Sequence, residues 1–405
     1  MNAEERWNEA AAYAVVAALV PQRIPGFHIG RDGLRNEDIG NGCWGMSWIE
    51  GGRAVFYGYD ADHNELAQHV PPVDLLAGAP DWLPWEWLDE VLRTLLLVSC
   101  VEWWDGTAWS RAPLPEGVSS GEGDWFGGSA VEQCYLDLAD PDREEEAAEA
   151  FDALREAALR RAVDRSVVEP LADVLDREIQ QDEEWEPDIA GALATAERLG
   201  VAPGSTRPEL PAGRGEPADR RVVSACPPQD LVSHVMRGAA ELDRPAPVPG
   251  PALDRVAEWL RDHRAGAGIT VAHLGGLEWR PAGFFGPRSE FLDADGKWVD
   301  PELSDALSAW REEEAHPERG RWLYARIRPT GAGVEVDRAY DHLPAWWGSS
   351  LVLHSQWGVL RAELRSRDPR WRPDWTSLLE EDLRRTGVPR HLCWRPAPST
   401  GPRHR

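Results

Sequence analysis

The sequence predicts an α+β protein of two domains, each a small, mostly antiparallel sheet packed with helices. Three observations predict this class: short aromatic strands come as hairpins, helical segments lie between the hairpins, and a stretch rich in proline and glycine divides the chain. At 405 residues the chain also exceeds what one hydrophobic core usually supports. The predicted organisation is an N-terminal α+β domain of unknown function over residues 1–200, a linker with a short helix over 201–250, and a C-terminal domain over 251–405.

The N-terminal part begins with a helix, Ala3–Leu19, in which apolar residues recur at helical spacing. A hairpin is predicted next, because the aromatic-rich strands Gly42–Ile49 and Arg53–Tyr59 flank a Glu-Gly-Gly turn. Asp81–Ser99 predicts a second helix. Glu102–Ser110 predicts a second hairpin, since Asp-Gly is a preferred tight-turn dipeptide.

Three further helices are predicted up to Gly200, before the composition changes. Asp140 is a good N-cap and is followed by a proline, and Asp188 opens the last of the three helices. Pro203–Asp219 is dense in proline, glycine and polar residues, which is typical of an exposed linker. Pro228–Leu242 then predicts an amphipathic helix.

The C-terminal domain is predicted to mix helices with short strands. The predicted elements are a helix (Leu253–His263), a strand (Gly268–Leu274), a strand or hairpin (Gly283–Val299), a helix (Pro301–His316), a hairpin (Arg321–Arg338) and terminal helices. The hairpin is marked by a Thr-Gly-Ala-Gly turn between its two strands.

The net charge of −27, from 43 basic and 70 acidic residues, limits the classes of partner that the chain can bind. Such a field repels nucleic acid and anionic membrane surfaces, and it accelerates the capture of a basic partner. Lys297 is the only lysine, and the arginine-rich composition is typical of a GC-rich bacterial genome, so a proteome-wide acidity is the alternative explanation. No apolar run approaches the ~18 residues of a membrane span, and we expect a cytoplasmic protein.

The five cysteines are scattered and include no Cys-x-x-Cys pair, which argues against a disulfide framework and a structural zinc site. We expect neither a metal nor a cofactor.

The 22 tryptophans outnumber the seven phenylalanines and six tyrosines together. Tryptophan packs cores and also anchors interfaces, and most of these side chains are expected in the core.

Three segments resemble catalytic motifs without their full pattern. Asp60, Asp62 and His63 could bind a divalent ion or activate water, which gives a metal-dependent hydrolase as an alternative function. The segment lacks the central glycine of a calcium loop and the second histidine of a zinc helix. Gly40–Gly45 fits G-x-G-x-x-G and Gly117–Gly121 fits G-x-S-x-G, but neither lies between a strand and a helix. We expect loops at all three.

The C-terminal hairpin and the residues after it predict an acidic-aromatic binding patch. Aromatic side chains supply anchor area, and neighbouring carboxylates steer a basic partner. The alternative is that the aromatic side chains close the core while the acids face water. The candidate partner-binding residues are Glu335, Asp337, Tyr340, Asp341, Trp346 and Trp347.

A set of aromatic and turn residues in this region resembles the YezG-like immunity proteins of bacterial toxin systems. The resemblance rests on Trp322, the glycine turn, Val334–Val336, Tyr340–Asp341, Pro344, Trp346, Pro369-Arg370 and Pro373–Trp375. Arg361–Arg367 departs from it, because the family has an acidic stretch there. The resemblance implies a non-enzymatic protein that binds and neutralises a toxin domain, with a basic nuclease as the candidate. The remaining alternative is a structural or regulatory interaction protein.

Overall fold

The computed structural model divides the chain into two compact units. The first comprises Met1–Ala225 together with Val388–Arg405, and the second comprises Cys226–Gly387. Both contain helices and an antiparallel sheet, so the predicted α+β class is confirmed. The structure describes residues 1–21, 24, 26–38, 42–60, 65–66, 69–95, 98–119, 128–175, 186–224, 226–242, 250–263, 267–273, 277–281, 300–331, 333–347 and 357–396.

The first unit is built on a seven-stranded sheet. Six strands form an antiparallel meander in chain order: β1 (Phe27–Gly30), β2 (Gly33–Asp38), β3 (Gly42–Ile49), β4 (Arg53–Asp60), β5 (Cys100–Trp104) and β6 (Trp109–Arg111). The seventh, β7 (Glu209–Leu210), pairs in parallel with the end of β3. Neither β1 nor β2 is predicted from the sequence. Arg31–Asp38 is a polar run, and both strands lie at the margin of the sheet, where burial is least demanding.

Helices cover both faces of this sheet. They are α1 (Ala3–Leu19), α2 (Trp85–Leu95), α3 (Gly128–Leu136), α4 (Glu144–Leu159), α5 (Arg165–Asp173) and α6 (Ile189–Leu199). The first is fixed by a capping box, in which the Asn2 side chain accepts from the Glu5 N–H and the Glu5 carboxylate accepts from the Asn2 N–H. Asp188 caps the start of α6 and Gly200 ends it at φ 75°, as both were predicted to do.

The central strands are buried on both sides because alternate residues pack on different helices. Trp44, Met46 and Trp48 of β3 join the core beneath α1. Val55 and Tyr57 of β4 pack instead with α2 on the opposite face. This two-sided burial explains why the strands read as nearly continuous apolar runs.

The segment predicted as an exposed linker, Pro203–Asp219, belongs to the first unit rather than standing between domains. Within it, Glu209–Leu210 adds to the sheet as β7, and the Gly213 N–H donates to the Trp82 carbonyl over 2.8 Å. Proline, glycine and polar residues therefore mark a segment that lies along the sheet. Composition alone does not distinguish such a segment from a free connector.

The end of the chain also belongs to the first unit, although it was predicted as part of a domain over 251–405. Val222 and Val388 exchange two backbone hydrogen bonds of 2.8 Å each, in an antiparallel bridge. The Trp394 N–H then donates to the Pro72 carbonyl over 2.8 Å. The chain thus leaves the first unit, forms the second and returns beside its point of departure.

The second unit contains a four-stranded antiparallel sheet in the order β11-β10-β8-β9. Its strands are β8 (Ile269–His273), β9 (Leu277–Pro281), β10 (Tyr324–Thr330) and β11 (Gly333–Ala339). Its helices are α7 (Pro228–Gly238), α8 (Pro251–Asp262), α9 (Pro301–Glu313), α10 (Trp357–Ser366), α11 (Ser377–Glu380) and α12 (Leu383–Thr386). The predicted hairpin is the β10–β11 pair, whereas the strand or hairpin predicted at Gly283–Val299 lies outside the described residues.

Candidate functional site

The β10–β11 hairpin has one apolar and one charged face. Ala325 and Ile327 point into the core formed with α8 and α9, and Val336 packs against that core from β11. Successive side chains of a strand point to opposite faces, so the residues between them form the other face. We call Arg326, Arg328, Glu335, Asp337 and the adjacent Trp346 the charged face.

Cross-strand ion pairs organise the charged face. Arg326 lies opposite Asp337 in the register, and its Nε donates to Asp337 Oδ2 over 2.8 Å. Arg328 lies opposite Glu335 and reaches Glu335 Oε1 and Asp337 Oδ2, both over 3.1 Å. The side chains of Asp337 and Glu335 are 36% and 61% exposed. A partner can therefore reach both carboxylates.

The half-buried Trp346 extends the charged face, with the Arg326 guanidinium 5.2 Å from its ring centroid. The charged face thus combines an aromatic ring with a row of arginines on β10 and a neighbouring row of carboxylates on β11. Neither arginine belongs to the set of binding residues predicted from the sequence. The alternation in Arg326-Ile327-Arg328 was the signal that could have placed them opposite the acids. Two arginines balance the two carboxylates, so the face is not the net acidic surface that was predicted.

Three predicted binding residues lie in the interior of the second unit. Asp341 is 0% exposed, Trp347 is 3% exposed and Tyr340 is 8% exposed. Trp347 packs on Tyr324, with ring centroids 5.6 Å apart. The prediction of one surface patch therefore needs correction for these three, because a partner cannot touch side chains that the core encloses.

The buried Asp341 carboxylate is held by an equally buried arginine. Arg367 Nη1 donates to Asp341 Oδ1 over 2.8 Å and to the Tyr340 carbonyl over 3.2 Å. Its Nη2 donates to the Arg321 carbonyl over 2.9 Å. The second Asp341 oxygen accepts from the Leu242 N–H over 3.2 Å. The pair thus joins separate stretches of the chain into one core.

Glu363 is a second buried carboxylate in the same region. It accepts from Arg311 Nη2 over 3.2 Å and from the Arg321 N–H over 2.9 Å. Burial opposes ionisation of Glu363, but this N–H and the surrounding guanidinium groups outweigh it and lower the pKa of the carboxyl group. Gly320 allows the close approach, since an added Cβ would lie 2.6 Å from Arg367 Nε. Glu363 and the guanidinium groups around it therefore stabilise the fold of the second unit.

His273 lies beside this cluster, and its Nδ1 has no hydrogen-bond partner among the residues described. Burial, reinforced by the positive charge of Arg311, lowers the pKa of His273 to about 4 from an ordinary value of 6.5. Between these values the unfolded chain binds a proton that the folded chain does not. Stability therefore falls as pH drops from 6.5 towards 4.

We expect the second unit to lose about 1 kcal/mol of stability through His273 between pH 7 and pH 5, after allowance for partial exposure. His273→Gln should flatten this part of the pH profile, which urea denaturation followed by tryptophan fluorescence measures. His28→Gln is the control, because it makes the same substitution in β1 of the first unit. An equally steep profile in His273→Gln would assign the acid sensitivity to other groups.

The first unit has a comparable buried ion pair. Arg220 donates to Asp74 over 2.6 Å, and the side chains are 4% and 8% exposed. The nearby Cys393 thiol is also buried, and burial followed by the Asp74 charge raises its pKa to about 12. A thiol with that pKa is protonated at neutral pH, so Cys393 is a poor nucleophile.

The motif segments contribute little to the described structure. The alternative metal-binding loop lies outside the described residues at Asp62 and His63, and only the backbone of Asp60 is described, at the end of β4. The described part of Gly40–Gly45 is the start of β3, and Ser120 and Gly121 lie outside the description. Within the described ranges, no group of three or more His, Cys, Asp or Glu residues is placed to hold a metal ion. No helix in those ranges is both long and apolar enough to cross a bilayer.

No protein-family model matches this chain, and no curated protein or solved structure matches it either. The resemblance to YezG-like immunity proteins therefore stays a prediction from the residues that carry it. Of those residues, Trp322, Tyr340 and Trp375 are buried in the second unit, and the Trp375 Nε1 donates to the Asp341 carbonyl over 2.8 Å. These aromatic positions thus have structural roles in the unit.

Proposed function

We propose that this chain is a non-catalytic binding protein of the immunity type, which captures a toxin domain in the cytoplasm and covers its active or nucleic-acid-binding surface. The observation that carries the proposal is the charged face of the second unit. There Glu335, Asp337 and Trp346 are accessible, and arginines on the neighbouring strand fix the carboxylates in place. Ordered charges beside an aromatic surface are what a protein partner recognises.

The charge of the whole chain supports a basic partner. A net charge of −27 accelerates the approach of a cationic domain at low salt, whereas the charged face itself is locally balanced. The whole chain therefore supplies the long-range attraction, and the exposed Glu335 and Asp337 add to it where the partner docks. A basic nuclease fits the first requirement, because its own surface must attract nucleic acid.

Two other functions make different predictions. A metal-dependent hydrolase would lose its activity when Asp60, Asp62 and His63 are replaced. An immunity protein would keep its toxin binding after the same replacements. A structural or regulatory interaction protein would use the charged face without protecting cells from a toxin. The gene neighbourhood is the first test, since an adjacent gene for a large secreted toxin favours immunity and an isolated metabolic operon disfavours it. Co-expression with the domain of such a toxin then separates these cases, because only an immunity protein restores growth.

Removing the accessible carboxylates should weaken toxin binding mainly through association. In Glu335→Gln/Asp337→Asn, we expect slower association and a flatter salt dependence, because exposed charges act over long range. Trp346→Ala should instead speed dissociation, at a cost of about 2 kcal/mol if the indole is an anchor. Surface-plasmon kinetics at two salt concentrations measures both effects, and thermal melts confirm folding.

The matched control is Glu145→Gln/Glu149→Gln, which removes two exposed carboxylates from α4 in the first unit. It changes the net charge as much as Glu335→Gln/Asp337→Asn does, and it should leave dissociation unchanged. Equal kinetics for the control and for all charged-face variants would remove this face from the interface. Absence of any binding by the unaltered protein would reject the immunity function.

A further inference from the structure

The outer edge of β11 is a second feature of the same hairpin. In the sheet order β11-β10-β8-β9, β11 is terminal, and no strand among the described residues pairs with its outer side. Its seven residues contain no proline. An edge of this kind offers a row of backbone donors and acceptors to another strand.

The register identifies which backbone groups point outward. Pro329 lies opposite Val334 and has no N–H, so this pair is of the non-hydrogen-bonded kind. The antiparallel pattern alternates, and Val336 and Arg338 therefore belong to pairs of the same kind. In such pairs the N–H and C=O groups of β11 point away from β10.

A side-chain contact at the end of the strand agrees with this assignment. The Tyr340 N–H, two residues beyond Arg338, donates to the Glu241 carboxylate over 3.1 Å instead of to β10. Glu241 thus supplies the acceptor that a neighbouring strand would otherwise provide. The outward groups that remain are those of Val334, Val336 and Arg338.

We propose that a basic β-strand of the partner adds to the outer edge of β11, with Lys or Arg side chains opposite Glu335 and Asp337. The proposal rests on the proposed function and gives its mode of binding. The carboxylate column of β11 would then lie between the arginines of β10 and the basic side chains of the added strand. Opposite charges on directly opposed residues stabilise strand pairing, and the backbone bonds supply affinity for an extended segment.

The same charges disfavour a second copy of this chain as the occupant. Antiparallel self-pairing centred on Val336 would set Glu335 against Asp337 of the other copy. A shift of the centre to either acidic residue would set that carboxylate against its own equivalent. Like charges directly opposed destabilise strand pairs. The edge therefore disfavours pairing with a second copy of β11 and favours pairing with a basic strand.

The test uses the full chain and a synthetic seven-residue peptide that alternates valine and lysine. In hydrogen exchange, we expect this peptide to slow exchange at Val334, Val336 and Arg338, whereas a peptide with glutamate for lysine should not. Val336→Pro removes one outward N–H, a change that edge strands tolerate. It should weaken peptide binding by about tenfold relative to Val336→Ala, which loses similar packing but keeps the N–H.

Several outcomes would overturn the proposal. These are no protection of the three amides at millimolar peptide, equal protection by the acidic peptide, or equal peptide affinity for Val336→Pro and Val336→Ala. A dimer that Val336→Pro dissociates would assign the edge to a second copy. The exchange experiment uses the unaltered chain, so it still tests strand addition if Val336→Pro does not fold.

Titration with the toxin domain separates this proposal from the function on which it rests. A toxin that binds Val336→Pro and Val336→Ala equally would leave the immunity function standing and reject strand addition. A toxin that does not bind the unaltered protein would reject the function, while the peptide result still decides whether the edge accepts a strand.

Discussion

Arg367→Ala should destabilise the second unit by about 3–5 kcal/mol, the range typical of removing one partner of a buried ion pair. The substitution takes its guanidinium partner from the fully buried Asp341 carboxylate, to which the Leu242 N–H still donates. It also removes one donor each from the Tyr340 and Arg321 carbonyls. Hydrogen exchange of the β10 amides measures the effect, because it reports the opening of this unit separately from the other.

Arg365→Ala, in the last turn of α10 and two residues before Arg367, is the matched control. Arg365 also pairs with a carboxylate, that of Glu380, but it does so in solvent, and its loss should leave β10 exchange nearly unchanged. Asp341→Asn/Arg367→Met should recover part of the loss, because it removes both buried charges together. Slow exchange in Arg367→Ala, equal to that of the unaltered protein, would show that the pair does not hold the unit together.

Trp7→Ala should destabilise the first unit by about 3–5 kcal/mol, as large-to-small changes in a core do. Trp7 is 1% exposed, and its ring meets that of Trp48 edge to face, with centroids 6.4 Å apart. Its Nε1 also donates to the Leu199 carbonyl over 2.9 Å, which ties α1 to the end of α6. Hydrogen exchange of the β4 amides gives the opening free energy of this unit.

Trp7→Phe separates the two contributions of this indole. It keeps an aromatic ring against Trp48 but leaves the Leu199 carbonyl without its donor, which should cost about 1–3 kcal/mol. If Trp7→Ala proved no worse than Trp7→Phe, the ring would contribute little and the hydrogen bond would account for the effect.

Local signals predicted most elements of the fold. Ala3–Leu19 was predicted with the bounds that the structure gives, because its apolar spacing and its end before a proline both lie in adjacent sequence. The return of the chain at Val388 had no such signal, since its partner Val222 lies in a distant part of the sequence. Pairing across that distance depends on the rest of the fold, which neither composition nor periodicity encodes.

The candidate site was predictable to the same limited extent. Glu335 and Asp337 lie at alternate positions of a short strand, and alternation placed them on one face. Asp341 carries the same charge two residues after that strand, yet Arg367 draws it into the interior. Sequence spacing gives the direction of a side chain within a strand, but it cannot show which carboxylate a distant arginine will neutralise.

The Val222–Val388 bridge sets an order for folding during translation. The ribosome makes most of the first unit before it begins the second, but the segment that closes the bridge is synthesised only after Gly387. The second unit is contiguous and can fold as soon as it has been released. The unit whose synthesis starts earliest is therefore completed last, and until then the backbone of Val222 in a nascent chain lacks its Val388 partner.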